Sequence, residues 1–228
     1  MFGKINPYMI LRIDSHNKLD PFETAIETAA SDWPFAEQIQ LVDTVTGNVC
    51  RNMTKVSLFA NADHLFIRFV CFTDAVFSYL TKRNSNVWEE EVAEVFLQPP
   101  GMENYYFELD VNPNNAVADL YIRNDERQDG SKNVQAIKPW TCKNLETRIF
   151  VKGKLNEKGG AQYWIAEYKI PFVSLELQEL NQAQKCWKAN FYRIDRSEKE
   201  TEYHAWNPTG KIDFHMMEKF TSIMFIKD

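Results

Sequence analysis

The chain lacks the common sequence signatures of enzymes and of targeting segments. Its 228 residues contain no G-x-S-x-G, no H-E-x-x-H and no phosphate-binding loop. The first residues, MFGKINPYMILRID, hold neither a long apolar run nor a small-residue cleavage site. We therefore predict no signal peptide and no membrane segment, and expect a chain that is cytoplasmic as written or a mature secreted or periplasmic form.

The four cysteines show no spacing that would indicate a disulfide framework or a metal site. Cys50, Cys71, Cys142 and Cys186 are widely separated, and no C-x-x-C pair occurs. Cys71 lies within an apolar strand pattern, which favours a buried free thiol over a disulfide.

Positive charge is also in deficit. The net charge is −6 and the isoelectric point is near 5.4. This balance argues against a nucleic-acid backbone or an anionic membrane as the main partner, and a neutral or basic ligand is easier to accommodate. The oligomeric state is not predicted by any of these features.

Aromatic residues, in contrast, are abundant at 14%, and they favour strands over helices. Alternating apolar residues at 56–60 and 65–71 flank a short turn, and a second hairpin is predicted from 105–112 and 117–123. Residues 1–228 are expected to form one all-β domain, an antiparallel β-sandwich of about ten strands. One short helix is predicted near residues 174–184, with Ser174 as its N-cap.

The stretch VWEEEVAEVFLQP, residues 87–99, stands out from the rest. Trp88 precedes an acidic triplet, and the strand that follows alternates strictly. If Ala93, Val95 and Leu97 face the core, Glu94 faces away from it. An indole beside a carboxylate is the chemistry of a sugar-binding slot, because sugars offer C–H faces and hydroxyl rims.

Four segments in order carry a family resemblance. They are VWEEEVAEVFLQP with YYFELDVNPNNAVADLYIR, then YWIAEYKIPF, then CWKANFYRIDR, and last EYHAWNPT with FHMMEKFTSIMFI. Together, over roughly residues 53–228, they resemble the family 9 carbohydrate-binding modules and their DOMON-like relatives. The resemblance implies a β-sandwich in which two tryptophans clamp a sugar ring or a glycan chain end. The resemblance is also compatible with a structural calcium ion, and it implies no other cofactor.

Carried over by position, the resemblance assigns Trp88 and Trp206 as the two clamps and Glu94 as the carboxylate. Arg123 is a looser match to a basic ligand contact, while Tyr203 and Asn207 flank the second clamp as polar edges. The triplet Glu89 to Glu91 is expected to be a solvated loop. Other residues are predicted to be structural: Trp164 and Trp187 in the core, and Arg193 as an ion pair with Glu167.

Non-catalytic carbohydrate binding, in carbohydrate catabolism, is therefore the predicted function. A haem-binding electron-transfer domain is the first alternative, because DOMON-like relatives include cytochromes with Met and His ligands. Its candidate ligands are Met53, His64, His204, His215, Met216 and Met217. A glycoside hydrolase, with two carboxylates drawn from Glu89, Glu90, Glu91 and Glu94, is the second alternative. A solvated acidic run, however, is a poor place to raise a carboxyl pKa.

Overall fold

The computed structural model describes residues 8–12, 20–26, 33, 36–126, 132–137, 139–175, 186–197 and 200–227. Within these ranges the chain is almost entirely β-structure and forms a sandwich of two antiparallel sheets, as predicted. Fourteen strands are present in the described part, more than the ten expected, because several short edge strands carry no clear alternation of their own. None of the helices in the described ranges is long and apolar enough to span a membrane.

The first sheet has the strand order β10-β11-β5-β4-β2. Its strands are β2 (Gln38–Gln40), β4 (Thr54–Ala60), β5 (His64–Phe72), β10 (Glu146–Gly153) and β11 (Ala161–Pro171). All neighbours in this order are antiparallel.

The second sheet has the order β14-β12-β6-β7-β8-β9. Its strands are β6 (Val92–Gln98), β7 (Tyr105–Val111), β8 (Val117–Glu126), β9 (Lys132–Ala136), β12 (Cys186–Asp195) and β14 (Thr221–Lys227). β13 (Glu202–Ala205) pairs with β12 and with the short β3 (Val42–Asp43). β1 (Tyr8–Arg12) joins the sheets, since it runs parallel to β14 along its length and touches β4 at Arg12.

Both predicted hairpins are present, and local turn chemistry explains them. Asn61 Oδ1 accepts hydrogen bonds from the backbone N–H groups of Asp63 and His64, which closes the β4–β5 turn. Asn112 Oδ1 does the same for Asn114 and Ala116 between β7 and β8. An asparagine side chain that accepts hydrogen bonds from nearby backbone N–H groups favours a turn through local contacts alone.

The main core lies between the two sheets and contains Trp164 and Trp187, as expected from their apolar alternation. Val95, Leu97 and Leu109 point into it from β6 and β7. The predicted helix near residues 174–184 falls mostly outside the described residues. Its first two residues belong instead to a 3-10 helix, Phe172–Leu175.

Candidate functional site

A cavity of about 480 Å³ lies on the face of the second sheet that points away from the main core. Successive residues of a strand point to opposite faces, so the inward Val95 places Glu94 and Phe96 on the cavity side. Residues 212–215, which follow β13 (Glu202–Ala205) in the chain, form the opposite wall. The lining residues are Trp88, Glu94, Phe96, Glu108, Leu120, Ile122, Val134, Ile194, Tyr203, Ile212, Asp213, Phe214 and His215.

Trp88 stands at the mouth of the cavity with an exposed fraction of 37%. It lies in a 3-10 turn, Val87–Glu89, whose Val87 is buried. Within the described part of the chain, the Trp88 indole stacks on no other ring. The exposed part of the residue, which lines the cavity, is therefore available to a ligand.

The acidic triplet holds this turn in place, which corrects the prediction of a solvated loop. Glu89 is exposed, but Glu90 Oε2 accepts hydrogen bonds from the backbone N–H groups of Tyr79 (2.9 Å) and Leu80 (3.1 Å). Glu91 is fully buried and lies 2.8 Å from Arg193, and it also accepts a hydrogen bond from Trp164 Nε1.

Arg193 therefore forms its buried ion pair with Glu91, and with Asp195 at 3.3 Å, so the predicted pairing with Glu167 is wrong. Glu167 pairs instead with Arg68 and Arg148. Burial opposes the charge of Arg193, but Glu91 and Asp195 outweigh it and raise its pKa.

Glu94 lies on the predicted face of β6, but it is not solvated. Only 3% of it is exposed, because the segment carrying Phe214 and His215 covers this part of the sheet. On the neighbouring strand, Asp110 stands directly opposite Glu94 and Glu108 stands diagonally, so three carboxyl groups share one small area. Glu94 Oε1 and Glu108 Oε2 have no hydrogen-bond partner within the described ranges of the chain.

Burial governs the protonation of these three acids. It raises the pKa of Glu94 well above its usual range, and the neighbouring Glu108 adds to the rise. Burial likewise raises the pKa of Glu108 to about 8 and that of Asp110 strongly. Glu108 lies two residues from Asp110 on the same face of β7, and its charge adds to the rise in the pKa of Asp110.

His215 completes the floor of the cavity as a neutral group. Its Nδ1 is hydrogen-bonded to Tyr106 Oη and lies 3.8 Å from Glu108 Oε2. Burial lowers the pKa of His215 despite the nearby Asp213. The imidazole is therefore uncharged at neutral pH and does not neutralise the carboxyl groups beside it.

The structure brings three of the predicted site residues together in this cavity: Trp88, Glu94 and Tyr203. It places the other three elsewhere. Trp206 packs against the main core, stacked on Phe191 at a centroid distance of 5.5 Å and edge-on to Tyr8.

Arg123 and Asn207 also lie away from the cavity. Arg123 follows the cavity-lining Ile122, so its side chain takes the other face of β8, where it pairs with Asp125 at 2.6 Å. Asn207 lines a separate cavity of about 880 Å³, and its side chain donates a hydrogen bond to the Lys219 carbonyl.

Sequence reasoning missed Glu108, Phe214 and His215 as lining residues. A usable signal for Glu108 was present, because strand alternation places it on the face of β7 opposite to that of the inward Leu109. Phe214 gave no such signal. It stacks on Tyr192 at 4.1 Å, a contact between segments with no regular register to extrapolate.

One cluster in the described residues has the donor atoms for a metal ion: Asp195, Glu202 and His204. Its oxygens already accept hydrogen bonds from Asn52 and from the backbone of Ser197 and Arg51. Burial and the charge of Arg193 lower the pKa of His204 to about 3. Calcium prefers an all-oxygen shell, so this cluster does not suit the predicted calcium ion, which stays a prediction.

A β-sandwich with an aromatic and acidic cavity on one sheet is the architecture of a ligand-binding module. The family model for carbohydrate-binding family 9 matches residues 37–225. The chain therefore belongs to carbohydrate-binding family 9. A search of curated proteins found no match.

Solved structures share the fold at low sequence identity. A putative carbohydrate-binding protein from Bacteroides uniformis matches with a TM-score of 0.67 at 14% identity, over 97% of this chain and 100% of that one. A family 9 module from Caldicellulosiruptor kristjanssonii in complex with cellotriose matches at 0.59 and 12%, over 96% and 94%. The same kind of module in complex with glucose matches at 0.55 and 10%, over 96% of both chains.

Proposed function

We propose that this protein is a non-catalytic sugar-binding module, and that the cavity beside Trp88 takes one sugar ring or the end of a glycan chain in carbohydrate catabolism. The observation that carries the proposal is an unstacked indole at the mouth of a cavity whose floor holds buried carboxyl oxygens with no hydrogen-bond partner in the described part of the chain. Family membership and neighbours that bind glucose and cellotriose support it.

The chemistry of the cavity suits a sugar. An aromatic face packs against the C–H bonds of a pyranose, and the carboxyl groups of Glu94 and Glu108 accept hydrogen bonds from its hydroxyls. Tyr203 supplies a second ring on the wall. The volume of about 480 Å³ falls within the usual range of small-molecule sites.

The two-tryptophan clamp stays a prediction, and the contacts of Trp206 with Phe191 and Tyr8 give the contrast that tests it. If Trp88 alone is the platform, Trp88→Ala abolishes or weakens sugar binding at least tenfold, because losing a central tryptophan costs about 2 kcal/mol or more. The melting temperature of this variant stays close to that of the wild type, since the indole is exposed.

The matched variant is Trp206→Ala, which removes the same side chain from the core. We expect a lower melting temperature and nearly unchanged affinity. Isothermal titration with glucose, cellotriose and a panel of oligosaccharides measures both variants. Unchanged affinity in Trp88→Ala contradicts the proposed site, and a loss of affinity in a still-folded Trp206→Ala supports the clamp instead.

The raised pKa of Glu94 and Glu108 is a property that glycosidase acids also have. Family 9 is a binding family, and we propose no catalysis. The panel should therefore show no release of reducing sugar during prolonged incubation with the protein. Release that disappears in Glu94→Gln would instead identify a hydrolase.

A further inference from the structure

Apart from His215 and Tyr203, the ionisable side chains among the described residues that line the cavity are all acidic. Glu94, Glu108 and Asp213 line it, and Asp110 lies directly behind Glu94 in the adjoining strand. No lysine or arginine is among the described lining residues. The nearest arginine along β8, Arg123, is on the other face and paired with Asp125.

The acidic side chains at the floor of the cavity are buried within the fold and do not lie on the protein surface. Glu94 is 3% exposed and Glu108 is 6% exposed, and each has an oxygen with no hydrogen-bond partner among the residues described. A buried carboxyl group without a partner is costly, and the cost is largest when the group is ionised. Among the residues that the structure describes, none supplies a cation there, because His215 is neutral and is bonded to Tyr106.

A neutral sugar satisfies the hydrogen-bonding capacity of these carboxyl groups only in part. A hydroxyl group donates one hydrogen bond and brings no charge, whereas a protonated amine donates up to three and favours the ionised form of Glu94 and Glu108, so its binding displaces the protons that burial keeps on these groups at neutral pH. Charge-assisted hydrogen bonds of this kind are about twice as strong as neutral ones. The chemistry of the floor therefore fits an ammonium group better than a hydroxyl.

We propose that the cavity binds an amino sugar, with the ring on Trp88 and the ammonium group held by Glu94 and Glu108. This inference rests on the proposed sugar-binding function and names its ligand class. The amine is recognised as a charged donor. An acetylated amine has lost both the charge and two of the donors, so it is a poor ligand.

Isothermal titration at pH 7 with D-glucosamine, D-glucose and N-acetyl-D-glucosamine tests the inference, since the three share one ring and differ at one substituent. We expect D-glucosamine to bind at least tenfold more tightly than D-glucose, because its ammonium group donates up to three charge-assisted hydrogen bonds, and together these outweigh the cost of removing the proton that burial holds on Glu108. N-acetyl-D-glucosamine should bind no better than D-glucose.

Two glutamine variants separate the floor from general charge effects. Glu94→Gln should remove the preference for D-glucosamine over D-glucose and lower D-glucosamine affinity about tenfold or more. Glu89→Gln makes the same chemical change one residue after Trp88, on an exposed side chain that does not line the cavity, and should keep the preference. Circular dichroism confirms that both variants are folded.

The possible failures are distinguishable. Equal affinity for D-glucosamine and D-glucose, or tighter binding of N-acetyl-D-glucosamine, overturns the amine inference and leaves the sugar site intact. D-glucose binding that requires added CaCl₂ would assign the carboxyl groups to a metal ion and also overturn it. Absence of binding by every sugar, including cellotriose, defeats the proposed function itself.

Discussion

Glu108 is the buried ionisable residue whose protonation most directly affects the stability of the protein. Its side chain extends from β7 and is almost fully buried near the segment that carries His215. This burial raises the pKa of Glu108 to about 8. Glu94 and Asp110 share this environment and the same direction of shift. The native protein therefore holds protons that an unfolded chain, with ordinary carboxyl groups, has already lost at neutral pH.

From this we predict that the free energy of unfolding falls as pH rises from 7 to 8. The native state binds more protons than the unfolded state there, so the slope is negative, at about 1.4 kcal/mol per pH unit for each such proton. His204 and His215, whose native pKa values are lowered, are largely neutral in both states above pH 7. Urea unfolding at pH 7.0, 7.5 and 8.0 measures the slope.

The Glu108→Gln variant serves as the comparison, because it removes one titrating group and keeps the shape. Its unfolding free energy should fall less steeply with pH than that of the wild type, by a measurable amount. A wild-type protein whose stability is flat or rises between pH 7 and pH 8 would contradict the account of buried, protonated acids.

At the scale of an element, the turn before β6 is a platform built on buried polar contacts. Glu90 ties it to the backbone at Tyr79 and Leu80, and Glu91 ties it to Arg193 across the core. Trp88 is therefore displayed from a fixed turn. Fixing the turn in advance lowers the entropy lost when a ligand binds.

We predict that Glu91→Gln destabilises the protein by about 3–5 kcal/mol, since it removes one partner of a buried ion pair and leaves Arg193 poorly compensated. Chemical denaturation at pH 7 measures the change. Glu89→Gln, an exposed substitution two residues away, should lie within about 0.5 kcal/mol of the wild type. Equal effects of the two variants would show that burial of Glu91 does not support the turn.

The elements differ in how much the sequence could predict. The hairpins around Asn61 and Asn112 were predictable, because turn and register depend on residues close in the chain. The side of β6 on which Glu94 lies was predictable for the same reason. Its burial was not, since the cover comes from Phe214 and His215, which belong to a segment without regular alternation more than a hundred residues later.

For the whole molecule, the fold class followed from strand patterns, whereas the closure of the sandwich did not. β1 runs parallel to β14, so the first and last described strands lie side by side and link the two sheets. No local pattern indicates a pairing between residues more than two hundred positions apart. The position of Trp206 depends on the same closure, because its indole packs edge-on to Tyr8 of β1. That of Arg193 depends on another long-range contact, its ion pair with Glu91.

This closure predicts that the chain unfolds as one unit. The two sheets share the main core and are joined by β1, so neither buries its inner face without the other. Urea unfolding followed by tryptophan fluorescence and by far-ultraviolet circular dichroism should give coincident transitions. Two separated transitions would show that the sheets belong to separate folding units.

The location of a bound sugar tests the central claim most directly. A crystal structure of the protein with the tightest-binding sugar of the titration panel gives that location. The account predicts a ring stacked on Trp88, with a hydroxyl or amine within about 2.7–3.2 Å of Glu94 or Glu108. A sugar bound against Trp206, or in the separate cavity beside Asn207, with the Trp88 cavity empty, would contradict it.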